Sequence, residues 1–352
     1  MFFITFGVSC HNKKEDTGAI RNLVDTIGFV QYAWQMDSIM SRIEEMYMFE
    51  EYHPCDDKSE EPAKIVISPH DDYTYVGPLY PAVIHEIKSN VVIMFGVAHK
   101  ARQFGLENKL IFESNNSWKG PYKNVQVSEL RNEIISALDT GMFVINDSIQ
   151  AVEHSLEALL PYLQYFNKKF EIVPILVPAM SFKRINQISD SLARVISTIA
   201  DKHNLKWGKD FAFIISNDAV HYGDADWGGQ NLAPFGSDTA GYLEAISHEM
   251  EITSTLCGKL NPDSIKRFNE FTVDTANFRE YRWTWCGRYS VPLGLMTGHY
   301  LAEINGDSIC GTKTGYLTSI DHPPVPVSDL GMGTTAPANL RHWVGYVGII
   351  YK

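Results

Sequence analysis

His70, His99, Asp218, His221 and Cys286 are the residues of this sequence whose types and settings suit chemistry. The apolar run at 65–67 leads through Ser-Pro into His70, NVVIMFG at 90–96 leads into His99, and FAFIIS at 211–216 leads into Asp218 and His221. In open α/β sheets, ligands bind outside the carboxyl ends of strands, so three such runs would deliver imidazole and carboxylate groups to one crevice. Asp218 and His221 are three apart. On a helical turn they would share one side, where a carboxylate fixes an imidazole's tautomer and raises its basicity, the arrangement of a general base. Cys286 lies in RWTWCGRYSV, just ahead of a predicted helix at 288–301. A helix N-terminus and the neighbouring Arg288 both lower a thiol pKa, which predicts a thiolate.

The elements that would position these groups can be read along the chain. Residues 19–52 carry apolar positions at helical spacing, with a break at Gly28, and 53–61 is a polar loop. Gly77-Pro78 opens a helix over 79–87, and Tyr73 and Tyr75 either line an aromatic slot or pack. Residues 152–165 read as an amphipathic helix with Glu153 and His154 at its start, a Leu156/Leu159/Leu160/Leu163 stripe, and an interruption at Pro161. A strand at 170–177, a helix at 181–202 and the strand at 211–216 come next. This β-α-β order predicts a mainly parallel sheet covered by helices on both faces. The glycine-rich stretch 223–237 reads as a lid or pocket wall, ahead of helices at 238–256 and 262–271. Strands at 313–320 and 344–351 close the chain around a loop whose His322 and His342 default to solvent.

Five stretches together resemble the MEMO family, also called AmmeMemoRadiSam system protein B, whose fold is that of the class III extradiol dioxygenases. They are SPHDDYTYVG (68–77), GVAH (96–99), EHSLEALLPYL (153–163), SNDAVHYG (216–223) and WCGRYSV (285–291). The similarity extends from about residue 63 to the terminal GYVGIIYK. It implies an α/β fold, a three-layer αβα sandwich with a mainly parallel or mixed central sheet. It further implies His70, His99 and Cys286 as metal ligands, His221 and Asp218 as the catalytic base and its partner, and His154 as a residue brought toward the metal pocket. Asp71-Asp72 stands where the family has Ala-Gly, Ala98 where it has serine, and Lys100 at a position that is often histidine. The acidic pair is expected at the pocket mouth.

Two imidazoles and a thiolate with an open position suit Fe(II) foremost, then Cu(I) or Zn(II), rather than Mg or Ca, which prefer oxygen. The dioxygenases carry a glutamate where the resemblance puts Cys286, which argues against ring cleavage and for another oxygen- or water-activating chemistry. The expected function is a metal-dependent redox enzyme. The alternative is a binding protein that takes a small aromatic, peptide or phosphotyrosine-like ligand in the same pocket. Zinc-dependent hydrolysis lacks an HExxH element and ranks below both. The resemblance also implies a functional link to a radical SAM protein and an AMMECR-type protein.

Composition bounds the rest. At 352 residues and 45% apolar content the chain suits one large domain over 19–352, with no Gly/Ser- or Pro-rich linker and no internal repeat. A formal net charge of -12 argues against nucleic acid or an anionic membrane as main partner, since phosphate binding needs clustered Lys and Arg. No GxSxG, Walker A or GxGxxG pattern is present. The opening MFFITFGVSC, followed by the polar HNKKED, resembles a lipoprotein signal. Residues 1–18 are thus expected to be signal and tether, with lipid on Cys10 and a cell-envelope location; the alternative is the cytoplasm.

Overall fold

A computed structural model describes residues 19–47 and 61–352. The Cys10 signal and nearly all of the expected 53–61 loop lie outside the described residues. Seven strands build or flank the site: β1 (Ile65–Ser68), β2 (Val91–Val97), β3 (Glu171–Val177), β4 (Phe211–Ser216), β5 (His221–Gly223), β6 (Cys310–Thr318) and β7 (His342–Tyr351). The order β3-β2-β4-β1 is parallel throughout, and β7 then β6 extend it antiparallel. Short β5 pairs antiparallel with β7. The parallel strands are buried on both faces, which is why they read as unbroken apolar runs. Ile65, Ile67, Ile93, Phe95, Phe213 and Ile215 point into one core. Val66, Val92, Met94, Ala212 and Ile214 point into the other.

Five helices cover or anchor these strands: α1 (Ala33–Met46), α2 (Leu79–Ile84), α3 (Phe182–His203), α4 (Thr239–Ser254) and α5 (Ser290–Asn305). α3 and α5 pack together over the first core, while α1 and α2 cover the second. The result is the expected three-layer α/β sandwich. Each fully buried Ile, Leu or Phe side chain contributes roughly 1.5–3 kcal/mol to it. α5 approaches the sheet closely because it presents glycines. A Cβ on Gly294 would stand 2.6 Å from the Ile215 side chain, and one on Gly298 would stand 2.3 Å from that of Ile65.

Three local expectations are corrected. The N-terminal helix begins only at Ala33, and Ile20–Arg21 is instead a short strand paired with Ser117–Trp118. Side chains divert the backbone before it can coil: Asp25 Oδ1 accepts from the Ile27 and Gly28 N–H groups, and Glu157 accepts from those of Val24 and Asp25. Residues 152–165 are not one helix either. A turn holding Glu153 and His154 leads into a 3-10 turn at Glu157–Leu159, and only Leu160–Phe166 is α-helical. Pro161 starts that helix rather than interrupting it, because its missing N–H falls where no intrahelical acceptor exists. Finally, 218–221 is extended, with Ala219 N–H donating to Gly345 O and Gly345 N–H to Val220 O, both at 2.8 Å. Among the described residues no helix is long and apolar enough to cross a membrane.

Candidate metal centre

The convergence of His70, His99 and Asp218 follows from register. Each stands two residues beyond the last residue of its strand, Ser68, Val97 or Ser216. Because the strands are parallel, all three emerge at one edge, and Ser68 lies directly opposite Ser216. The His70 backbone N–H donates to Asp218 Oδ1 at 2.8 Å. Cys286 arrives from the far end of the chain and docks on the same strand end. Its N–H donates to the Asp218 carbonyl at 3.1 Å, and the Gly287 N–H to Asn217 Oδ1 at 2.9 Å. Gly287 must be glycine for this approach, since a Cβ there would lie 2.2 Å from that oxygen.

Hydrogen bonds set the tautomers of both histidines. Ser216 Oγ donates its single proton to Ser155 O at 2.6 Å, so at 2.7 Å from His70 Nδ1 it acts as acceptor. His70 therefore carries its proton on Nδ1 and a lone pair on Nε2. That nitrogen is buried and has no hydrogen-bond partner. Asp218 Oδ2 is 3.3 Å away, but outside hydrogen-bond geometry. Glu153 does the same for His99, accepting from Nδ1–H at 2.8 Å and from the His99 backbone N–H at 2.7 Å. Burial raises the Glu153 carboxyl, but the His99 charge and hydrogen bond, with help from His154 and the Ser155 N–H, outweigh it and hold the group at about 2. An ionised acceptor fixing Nδ1–H and leaving Nε2 free is how metal-ligating histidines are commonly prepared.

The ligand atoms of His70, His99 and Cys286 lie within 4.8 Å of one another. His70 and Cys286 are buried and His99 is exposed. Two further clusters are equally compact, His99 with Glu153 and His154, and Asp218 with His221 and Cys286. Their carboxylates are already engaged by N–H donors, Glu153 by those of His99, His154 and Ser155, and Asp218 by that of His70. In the set of two imidazoles and one sulfur, His70 Nε2 has no hydrogen-bond partner while Cys286 Sγ touches the His221 ring, and the chemistry of the set fits a borderline transition metal. The expectation of a ready thiolate is corrected. Burial first, then the Asp218 charge, push the Cys286 thiol well above its ordinary range, and Arg288 opposes them without prevailing. The helix begins at Ser290, four residues on from the cysteine.

Asp218 accepts its hydrogen bond from the His70 backbone rather than from His221, although its carboxylate lies within 4.8 Å of a His221 ring nitrogen. His221 instead lies against Cys286, with its nitrogens 3.5 and 3.7 Å from Sγ. Burial first, then the charges of His99 and His342, hold its pKa down to about 3, so the ring is neutral. Trp227, from the glycine-rich loop, stacks on His221 at 5.3 Å and on His342 at 3.7 Å. That loop is a wall of the site, as expected, while His342 is buried rather than solvated. His154 stacks on His99 at 4.9 Å with only 6° between the rings, and burial first, then the His99 charge, lower it to about 4.

Neither Tyr73 nor Tyr75 lines the cavity beside the cluster. Tyr73 is buried with its hydroxyl on Ala158 O, and Tyr75 donates to Ala336 O. The acidic pair is not at the mouth either: Asp71 accepts from Tyr346 and Asp72 from Thr335. Burial first, then the Asp71 charge, push Asp72 up to about 7. The cavity beside the cluster, about 670 Å³, is walled by His99, His221, Cys286, Tyr281, Arg288 and Tyr289. An open cleft of about 690 Å³ elsewhere, around Tyr242 and His322, contains none of the clustered ligands. Glu153, Ser216 and Trp227 join the site without having been singled out by sequence; only Glu153, written directly before His154, had a legible signal.

The family described as Memo-like protein matches residues 30–325, a span that includes every residue of the cluster. The chain belongs to the Memo-like family. A MEMO1 family protein of Methanothermobacter thermautotrophicus is 27% identical over 164 residues, covering 46% of this chain and 56% of that protein. One from Saccharolobus solfataricus is 30% identical over 163 residues, covering 44% and 52%. One from Metallosphaera sedula is 28% identical over 167 residues, covering 46% and 55%. The matched segment of this Memo-like chain thus spans about half the length of these curated relatives.

Proposed function

We propose that this Memo-like protein is a metal-dependent redox enzyme of oxidase or dioxygenase-like type, holding one ion through His70, His99 and Cys286. Fe(II) is the first choice and Cu(I) the second; Zn(II) suits the same ligands but would supply water activation without redox chemistry. The observation that carries this reading is His70 Nε2, a buried lone pair with no hydrogen-bond partner, on a histidine whose ligand atom lies within 4.8 Å of those of a second imidazole, His99, and a sulfur, Cys286. A buried polar atom left unpaired costs about 1–3 kcal/mol, and an ion removes that cost. When bound, the ion would supply activation of oxygen or water. The chain's own residues do the rest. Ser216 and Glu153 hold the imidazole tautomers. The Cys286 proton leaves as the ion binds, so affinity rises with pH. His221, neutral and facing the cavity, moves the proton, and His154 lies over His99.

A second reading, capture of an aromatic ligand without turnover, is favoured by Tyr281 and Tyr289 in the same cavity wall. Metal analysis of the anaerobically purified full chain tests the first. About one equivalent of a borderline or soft transition metal is expected, since such sites are built for one ion. His70→Ala, His99→Ala and Cys286→Ser should each lose most of it, whereas Cys257→Ser and Cys310→Ser should not. Full retention after loss of both histidines would sink the assignment.

A further inference from the structure

Three arginines line the cavity beside the cluster, and two of them are already matched by carboxylates. Arg279 binds Glu107 with two hydrogen bonds of 2.6 Å, and Arg102 lies 4.0 Å from Glu280. Arg288 differs. Among the described residues its guanidinium has no carboxylate within ion-pair distance, and its hydrogen bond, from Nη1, goes to the Trp285 carbonyl at 3.2 Å. Its Nε is buried and has no partner. The Nε–Nη2 edge of the fork, two parallel N–H donors, is therefore unused. The Tyr281 and Tyr289 rings stand 5.5 and 4.9 Å from the guanidinium carbon. Arg288 is two residues from Cys286, and its charge reaches both that thiol and His221.

We infer that Arg288 is the anchor of a substrate subsite that takes a planar carboxylate monoanion, held through the Nε–Nη2 edge beside Tyr281 and Tyr289 with its body directed at the His/Cys cluster. Two parallel N–H donors match the two oxygens of a carboxylate, and a planar guanidinium, more weakly hydrated than a compact ammonium, suits such a pairing better. Arg279 and Arg102 face Glu107 and Glu280, which leaves the Arg288 guanidinium, one positive charge, as the arginine of this cavity without a carboxylate among the described residues. The flanking rings favour a flat, conjugated body over an aliphatic one. This subsite deepens the enzyme reading and rests on it for its role as substrate pocket, but anion binding itself does not depend on the metal.

Benzoate is the probe, titrated calorimetrically into the full-length protein with and without reconstituted Fe(II), with benzamide and phenyl phosphate in parallel. Saturable benzoate binding is expected, at least ten-fold tighter than benzamide and no weaker than phenyl phosphate. Arg288→Met should lose benzoate affinity by about ten-fold or more, as deletion of a charge-assisted pair does, while keeping the metal content of the wild type. Should Arg288→Met fail to fold, Arg288→Lys carries the test: it keeps the charge but lacks the two-donor edge, and should also bind benzoate more weakly. Benzamide binding as tightly as benzoate, or equal benzoate affinity in wild type and Arg288→Lys, would overturn the subsite. A wild type that holds no metal yet binds benzoate through Arg288 would overturn the enzyme reading and leave the subsite standing.

Discussion

Cys286 and His221 touch, and single substitutions separate their roles. Cys286→Glu replaces sulfur by carboxylate at the same place and restores the two-histidine-one-carboxylate set. Fe(II) should be retained and any preference for Cu(I) lost, because thiolate is the soft donor of the three; competitive loading with both ions measures it. His221→Ala removes a neutral ring that lies 3.5 Å from Sγ but whose removal leaves His70, His99 and Cys286 in place. Metal content should stay near that of the wild type while turnover or ligand response falls by about 100-fold or more, the scale of one proton-transfer group. If metal is lost with the ring, His221 is itself a ligand and the Asp218–His221–Cys286 cluster is the true site.

Among the elements, α4 reaches the candidate metal centre from a distance through one side chain. Glu249, fully buried on α4, accepts from Trp283 Nε1 at 2.6 Å, Trp285 Nε1 at 2.7 Å, Tyr316 Oη at 2.8 Å and the Val220 N–H at 3.3 Å. It thereby ties down the residue before His221 and the two tryptophans before Cys286. Burial, only partly offset by those hydrogen bonds, raises its carboxyl to about 6 from the ordinary 4.5. A raised carboxyl favours folding while it is protonated, so this contribution is full below about 4.5 and is lost as pH rises through 6. The loss is on the order of 1–2 kcal/mol. Glu249→Gln keeps an acceptor for both tryptophans and removes the ionisation. Urea unfolding at pH 4.5 and 6.5 should show that this part of the pH dependence disappears. Glu249→Ala leaves several buried donors unpaired and should cost at least about 3 kcal/mol, with weakened metal retention. A Glu249→Ala protein as stable as wild type would contradict this role.

On the scale of the whole molecule, acidic balance and basic cavity are separate facts. The net charge of -12 describes the whole chain, while the cavity beside the cluster holds the guanidinium of Arg288, which among the described residues has no carboxylate partner. Location depends on residues outside those described. FGVSC ahead of a charged tether predicts lipid on Cys10, so metabolic lipid labelling should tag the full-length protein, and Cys10→Ser should release it from the membrane fraction. A wild type that stays soluble and unlabelled would end that reading.

Strand identity, the sheet's parallel character and the arrival of His70 and His99 at one edge were legible in the sequence. Short unbroken apolar runs bounded by Pro or Gly read as strands buried on both faces, and parallel order puts their carboxyl ends at one edge. Cys286 was legible only through its resemblance to a family motif, since nothing local brings residue 286 to the end of a strand that stops at Ser216. Tertiary structure decided the pairings. Spacing suggested Asp218 hydrogen-bonded to His221; the extended backbone beside β7 keeps their ligand atoms within 4.8 Å, but the hydrogen bond that Asp218 accepts comes from the His70 N–H. Glu153 and Glu157 override the helical stripe at 152–165 and the segment before α1, because a carboxylate that collects several N–H groups outcompetes a helix turn. The state of the Cys286 thiol was likewise beyond local reading. The sequence shows Arg288 two residues away, whereas burial and the charge of Asp218, a residue 68 positions earlier, decide it.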